Sequence, residues 1–236
     1  MLNNVWVALG ITFLAALVWL RFNDYLAQKG WLSGQVSRKI IHIGTGPIYV
    51  LCWLLFPERP AARFLAALVP LSFTAQFALI GLGIIKDEAS VAAMSRTGDR
   101  REILRGPLYY GIIFVLLTIV YWRSSPIGIV ALMLMCGGDG LADIMGKRFG
   151  RVHLPWSPKK SWIGSLGMLI GGWVFAMIVP GLYLATHMLP GRLDSFLLPV
   201  TIIAIVGMLV ESMPFLDIDN ITVTLAALIM GHILLP

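Results

Sequence analysis

The stretch Trp162–Leu184, WIGSLGMLIGGWVFAMIVPGLYL, runs for 23 residues without one Asp, Glu, Lys or Arg. At about 1.5 Å per residue a helix of that length crosses a hydrocarbon core about 30 Å thick, and being apolar on every face it belongs in lipid. Comparable runs recur on both sides of it: Val5–Leu20, Ile40–Phe56, Phe64–Ile85, Pro107–Trp122, Pro126–Asp143, Phe196–Met213 and Ile221–Leu235. The sequence therefore predicts an all-α, polytopic integral membrane helix bundle with about eight transmembrane helices, seven being the alternative. No polar segment is long enough for a separate soluble unit, so residues 1–236 are expected to form a single integral membrane domain.

Composition agrees. Apolar residues make up 58% of the chain and charged ones 13%, against roughly 45–50% and 25% in soluble domains. Cys52 and Cys136 both fall inside apolar runs and are expected to be small buried hydrophobes, not a disulfide or ligand pair. The first span lacks a basic leader and a small-residue cleavage site, so it reads as a retained helix.

Charge orients the bundle. The loops after the first, third, fifth and seventh spans hold 14 of the 18 basic residues, leaving Arg59, Arg63, Arg123 and Arg192 for the other side. The positive-inside rule then puts the odd-numbered loops in the cytoplasm and both termini on the non-cytoplasmic side. Basic residues confined to short loops between spans suit anionic headgroups, so membrane lipids are expected partners and nucleic acid is not. All acidic residues except Glu58 and Asp194 lie in or beside the same loops, which gathers the chemistry onto one face.

Four constellations share that face. In Ser37-Arg38-Lys39-Ile40-Ile41-His42, Arg38 and His42 are four apart and share a helix face that can hold phosphate oxygens; the bland reading is a headgroup anchor beside a packed histidine. In Gly137-Gly138-Asp139-Gly140-Leu141-Ala142-Asp143, the same spacing aligns two carboxylates able to share one Mg²⁺ with water and nucleotide phosphates. Gly138 and Gly140 there either let a ligand approach the backbone or let helices pack closely. An aspartate inside an apolar run is costly unless it has a task, which favours the metal reading.

Next come Lys147, Arg148 and Arg151, then Pro158-Lys159-Lys160-Ser161. Cations beside carboxylates are what a metal-bound polyphosphate requires, and Ser161 with Ser165 can open the following helix. Glu211, Asp217, Asp219 and Asn220 close the seventh span. Their acids could ligate a second metal, orient a hydroxyl or act as base, or they could balance the basic loops as ion pairs. The phosphate loop GxxxxGK[ST] is absent, and the four histidines lack zinc spacing.

Together these motifs resemble the phytol kinase and dolichol kinase family, membrane enzymes that phosphorylate polyprenyl alcohols with CTP, and they look closest to the phytol kinases. The resemblance is carried most specifically by Gly138-Asp139-Gly140-Leu141-Ala142-Asp143-Ile144-Met145-Gly146-Lys147-Arg148-Phe149-Gly150 and by Lys160-Ser161-Trp162-Ile163-Gly164-Ser165. It is supported by Leu104-Arg105-Gly106-Pro107-Leu108-Tyr109-Tyr110 and extends from Ser37 to Asn220. One departure is that Ile218 separates Asp217 from Asp219, where phytol kinases have adjacent aspartates.

The resemblance implies CTP as phosphoryl donor, with UTP as an alternative nucleoside triphosphate, Mg²⁺ as cofactor, and a prenyl alcohol such as phytol, geranylgeraniol or farnesol as acceptor. It implies a prokaryotic inner membrane or a photosynthetic membrane. Under it, Asp139 and Asp143 hold the metal. Arg38, Lys39, Lys159 and Lys160 neutralise the triphosphate, and Gly138, Gly140, Lys147, Arg148 and Ser161 complete the nucleotide site. His42 or Glu211 takes the alcohol proton, Asp139 sits at the catalytic centre, and Asp219, Asn220 and Arg105 are further candidates. Two other classes fit parts of the pattern: a CTP-dependent cytidylyltransferase acting on phosphatidate, and an ion-coupled transporter using Asp139 as its coupling site.

Overall fold

A computed structural model describes residues 2–235 other than Ser33, Arg96, Leu216 and Asp217. Arg96, one of the 14 basic residues of the odd-numbered loops, and Asp217, at the acidic end of the seventh expected span, thus lie outside the described residues. Among the described residues ten α-helices follow one another: α1 (Val5–Gln28), α2 (Gly34–Cys52), α3 (Ala62–Leu82), α4 (Glu88–Met94), α5 (Gly106–Val120), α6 (Pro126–Met133), α7 (Gly140–Phe149), α8 (Trp162–Ala185), α9 (Asp194–Glu211) and α10 (Asp219–Leu234). Among the described residues six helices are long and apolar enough to cross a membrane, and α10 is a shorter apolar helix. The second expected span, α2, has 19 residues, and its first turns carry Arg38, Lys39 and His42.

Local chemistry sets the boundaries. Pro126 opens α6 and Pro107 stands in the first turn of α5, where a missing N–H costs nothing. Gly83 ends α3 in the left-handed region at φ 81°, and its N–H returns to the carbonyls of Leu79 and Ile80. Ser161 caps α8 by accepting from the Gly164 N–H at 3.2 Å, as its place before the apolar run predicts. Asp87 caps α4 through the Ser90 N–H at 2.9 Å and accepts from the Ser90 hydroxyl at 2.6 Å. These bonds hold its carboxyl below the usual carboxylate range.

The fifth predicted span departs from a plain helix. Between α6 and α7 the chain winds through a π-helical segment, Leu134–Asp139, whose wider turn ends on Asp139. Pro126–Phe149 is also the centre of the molecule, with 72% of its core window buried against 11% for the first span. Ile129 through Cys136 are wholly buried, which accounts for a run apolar on every side. The all-α expectation needs one addition: a small antiparallel ribbon of β1 (His153–Leu154) and β2 (Ser157–Ser161) joins α7 to α8.

The two ends of the bundle differ. At one, the Leu2 N–H donates to the Leu55 carbonyl at 2.8 Å, and buried Arg123 lies 3.8 Å from Glu58 and donates to the carbonyls of Trp53 and Phe56. His232 of α10 meets the Tyr121 hydroxyl there at 2.9 Å, so both chain ends share this side. The opposite end gathers the start of α2, the end of α7, the ribbon, the end of α9 and the start of α10. Cys52 and Cys136 are free and buried, as expected.

Candidate active site

Two ion clusters stand at the charged end. In the first, Lys39 Nζ lies 3.1 Å from Asp139 Oδ2 and 3.8 Å from Asp143 Oδ2, and Lys147 pairs with Asp143 at 2.9 Å one turn further along α7. His42 Nε2 comes within 3.3 Å of Asp139 Oδ2 but lacks the alignment of a hydrogen bond. The imidazole rests on Tyr110 with ring centroids 4.3 Å apart, and the Tyr110 hydroxyl donates to the His42 carbonyl at 2.8 Å. The ring is thereby fixed against α5 while its Nε2 faces the carboxylate.

The second cluster is centred on Lys160, which lies 2.7 Å from Glu211 Oε1 and 2.9 Å from Asp219 Oδ2 and also donates to the Glu211 carbonyl. One ammonium thus ties the ribbon to the end of α9 and the start of α10. Burial pushes the Lys160 ammonium down, but Glu211 and Asp219 outweigh it, leaving the group above the ordinary lysine range. Trp156 reinforces the join by donating its ring N–H to the Ser212 carbonyl at 3.2 Å.

A cavity of about 270 Å³ opens beside the clusters and runs down between α1, α2, α3 and α5. Its mouth is lined by Arg38, Lys39, His42, Arg105, Asp139 and Asp219, with Asn220 beside them, and its shaft by apolar residues such as Ala16, Ile48, Phe73 and Phe114. Asp219 Oδ1 and Asn220 Oδ1 are buried at that mouth with no hydrogen-bond partner among the described residues. Orphaned acceptors of this kind are suited to a hydroxyl donor or a cation.

Comparisons with known proteins bear on this geometry. No family model and no solved structure matches the chain. It is 39% identical over 217 residues to "Probable phytol kinase, chloroplastic" of Triticum aestivum, covering 91% of this chain and 72% of the relative. It is 38% identical to "Farnesol kinase, chloroplastic" of Arabidopsis thaliana (96% and 74% covered) and 35% identical to "Phytol kinase 1, chloroplastic" of the same plant (89% and 70%). The chain belongs to the phytol and farnesol kinase family.

In this member of the kinase family the predicted residues sort by position. Arg38, Lys39, His42, Arg105, Asp139, Asp219 and Asn220 meet at the cavity mouth, and Asp143 with Lys147 adjoins them through Lys39. Lys159 and Lys160, adjacent in sequence, separate because successive strand residues face opposite ways; Lys159 is exposed and Lys160 turns inward. Arg148 is exposed beside Phe149, with its guanidinium 5.5 Å from that ring. Ser161 is buried and its hydroxyl is engaged as a helix cap.

The glycines have a structural reason. A side chain at Gly138 would strike Met168 of α8, and one at Gly140 would strike Ile43 of α2, so both let helices meet closely around the π segment. Glu211 is held by Lys160 and does not line the cavity, whereas His42 does. Tyr110, which supports the histidine, was missed; its signal is a tyrosine pair, Tyr109-Tyr110, at the mouth of an apolar span.

Proposed function

We propose that the protein transfers the γ-phosphoryl group of CTP to the hydroxyl of an isoprenoid alcohol at the cytoplasmic face of its membrane. One observation carries this reading: a single cavity joins a charged mouth, able to meet a nucleoside triphosphate, to an apolar shaft inside the helix bundle. The names of the relatives, phytol kinase and farnesol kinase, support prenyl alcohols as acceptors. UTP is the alternative donor.

Mg²⁺ fits the residues present. Asp139 and Asp143 turn one oxygen each toward a shared cation, here the Lys39 ammonium, and Mg²⁺ commonly takes one or two carboxylates plus water and substrate phosphates. When bound, the metal neutralises charge on the polyphosphate. Lys39 and Arg38 then serve the phosphate oxygens. The acceptor hydroxyl lies beside His42 and the orphaned oxygens of Asp219 and Asn220. As its oxygen bonds to the γ-phosphorus, the bond from that phosphorus to the bridging oxygen breaks, CDP leaves with the electron pair, and the hydroxyl proton passes to His42 Nε2. Asp139, 3.3 Å away, stabilises the imidazolium that results. The acceptor chain stays in the shaft throughout, so neither substrate leaves its own solvent.

The test is which phosphorus reaches the lipid. Purified protein is given phytol, geranylgeraniol, farnesol and phosphatidate with Mg²⁺ and CTP labelled at either the γ- or the α-position. Label from the γ-position in a prenyl monophosphate, with α-label remaining in water-soluble CDP, is the expected result. Label from the α-position in lipid would mean a cytidylyltransferase, and no labelled lipid from folded protein would point to the transporter.

A further inference from the structure

We infer that the linker after α7 and the first turns of α8 form a binding groove for one anionic phospholipid of the adjoining leaflet. The groove lies outside the cavity, and its lipid is neither donor nor acceptor in the proposed transfer.

The segment from Phe149 to Trp162 carries two kinds of side chain that a water-exposed loop seldom combines. Phe149 and Val152 are 57% and 66% exposed although they lie beyond the apolar spans, and Trp156 and Trp162 stand exposed near them. Arg148, Arg151 and Lys159 are exposed along the same segment. The nearby carboxylates are already engaged, Asp143 by Lys147 and Lys39, and Glu211 and Asp219 by Lys160. None of them pairs with these three cations among the described residues. Outward apolar side chains beside such cations are the composition of a membrane interface: the rings enter the acyl boundary and the cations meet headgroup phosphates.

The fold assembles these side chains into a groove. Phe149, Arg151 and Val152 form one side, and Trp162, Ile163 and Leu166 the other, around a volume of about 280 Å³. The two sides are joined where the Trp162 N–H donates to the Val152 carbonyl at 3.2 Å. Their approach needs Gly150, because a side chain there would strike Ser161 and the Gly146 carbonyl. Trp156, bonded to the Ser212 carbonyl, sets its ring edge-on to Trp162 with centroids 5.7 Å apart and so fixes the mouth of the groove. Trp162, Leu166 and Ile170, four residues apart and all exposed, make one stripe down α8, along which an acyl chain runs from the groove into the bilayer. At the other end Arg151 lines the groove, and Arg148 is held with its guanidinium 5.5 Å from the Phe149 ring. Two guanidinium forks suit a phosphate. A headgroup of net negative charge complements them, whereas phosphatidylcholine brings its own cation to compete.

The experiment is native mass spectrometry of the full chain in mild detergent, with phosphatidylglycerol and phosphatidylcholine of identical acyl chains at equal concentration. A cation beside an anionic membrane surface is worth about fivefold in affinity, so the unaltered protein, with two, should retain one phosphatidylglycerol by about tenfold or more over phosphatidylcholine. Arg151→Gln should lower that retention about fivefold, and Arg148→Gln added to it should abolish the preference. Val152→Glu, at an exposed position, puts a carboxylate in the groove and should expel the lipid, so the test survives if the double variant fails to fold. Lys86→Gln removes the same charge from another exposed site in the odd-numbered loops and should change nothing. Excess inorganic phosphate should leave the lipid bound. Native protein that holds no lipid or holds both lipids equally overturns the groove, as does retention unchanged in Arg151→Gln and Val152→Glu. A loss in Lys86→Gln equal to that in Arg151→Gln, or displacement by phosphate, reduces the binding to general charge and overturns it as well.

Discussion

Replacing Asp139 with Asn keeps the size of the side chain and removes the charge on which the proposed mechanism turns. The lost group contacts Lys39 at 3.1 Å and His42 at 3.3 Å, at the mouth of the cavity. With an effective dielectric near 20, a unit pair at that distance interacts by about 5 kcal/mol before desolvation is subtracted. Removing one electrostatic contact to developing charge commonly costs about 3–4 kcal/mol, or roughly 10²–10³ in kcat. Asp143→Asn should cost less, about tenfold, because Asp143 stands farther from Lys39 at 3.8 Å, is more exposed, and is already paired with the exposed Lys147. The assay is prenyl monophosphate formed per enzyme at saturating and at limiting Mg²⁺, with detergent size-exclusion profiles to show that each variant is folded. Ordinary turnover by Asp139→Asn at limiting Mg²⁺ would refute the assignment, and a larger loss in Asp143→Asn would refute the ranking.

Three further outcomes are expected. His42→Asn should lower kcat about a hundredfold, in the usual range for loss of a general base, with the KM for CTP little changed; a thermal shift without a kcat effect would make the histidine a packing residue. Lys160→Met strands the buried Glu211 and the partly buried Asp219 carboxylates, at about 3–5 kcal/mol, and should lower the unfolding temperature by roughly 10 °C. Adding Glu211→Gln should restore about half of that loss, and a single variant as stable as the native protein would show the cluster to be unimportant. For orientation, the positive-inside argument places Val152 in the cytoplasm and Leu193 outside, both exposed on the protein. In sealed cells an impermeant thiol reagent should block Leu193→Cys and spare Val152→Cys; the reverse pattern inverts the topology.

The sequence by itself determined the membrane bundle, the crowding of charge at one end, the shared side of Asp139 and Asp143, and Ser161 as a helix start. Each of these rests on hydropathy, on helical spacing or on a capping preference, which act within a turn or two of chain and can be read along it. The family followed from motifs equally local. Only the tertiary structure decided which charges meet. Lys39 finds Asp139 across a hundred residues, and Lys160 finds Glu211 across 51, through helix packing that no spacing rule encodes. The ribbon that parts Lys159 from Lys160 is too short to show a period, and the π segment ending at Asp139 reads in sequence as ordinary helix. Glycines that could equally have cradled a ligand prove to face Met168 and Ile43, because a residue without a side chain carries no mark of what approaches it. The shaft likewise has no signature in sequence, because its wall is assembled from four helices that are distant along the chain.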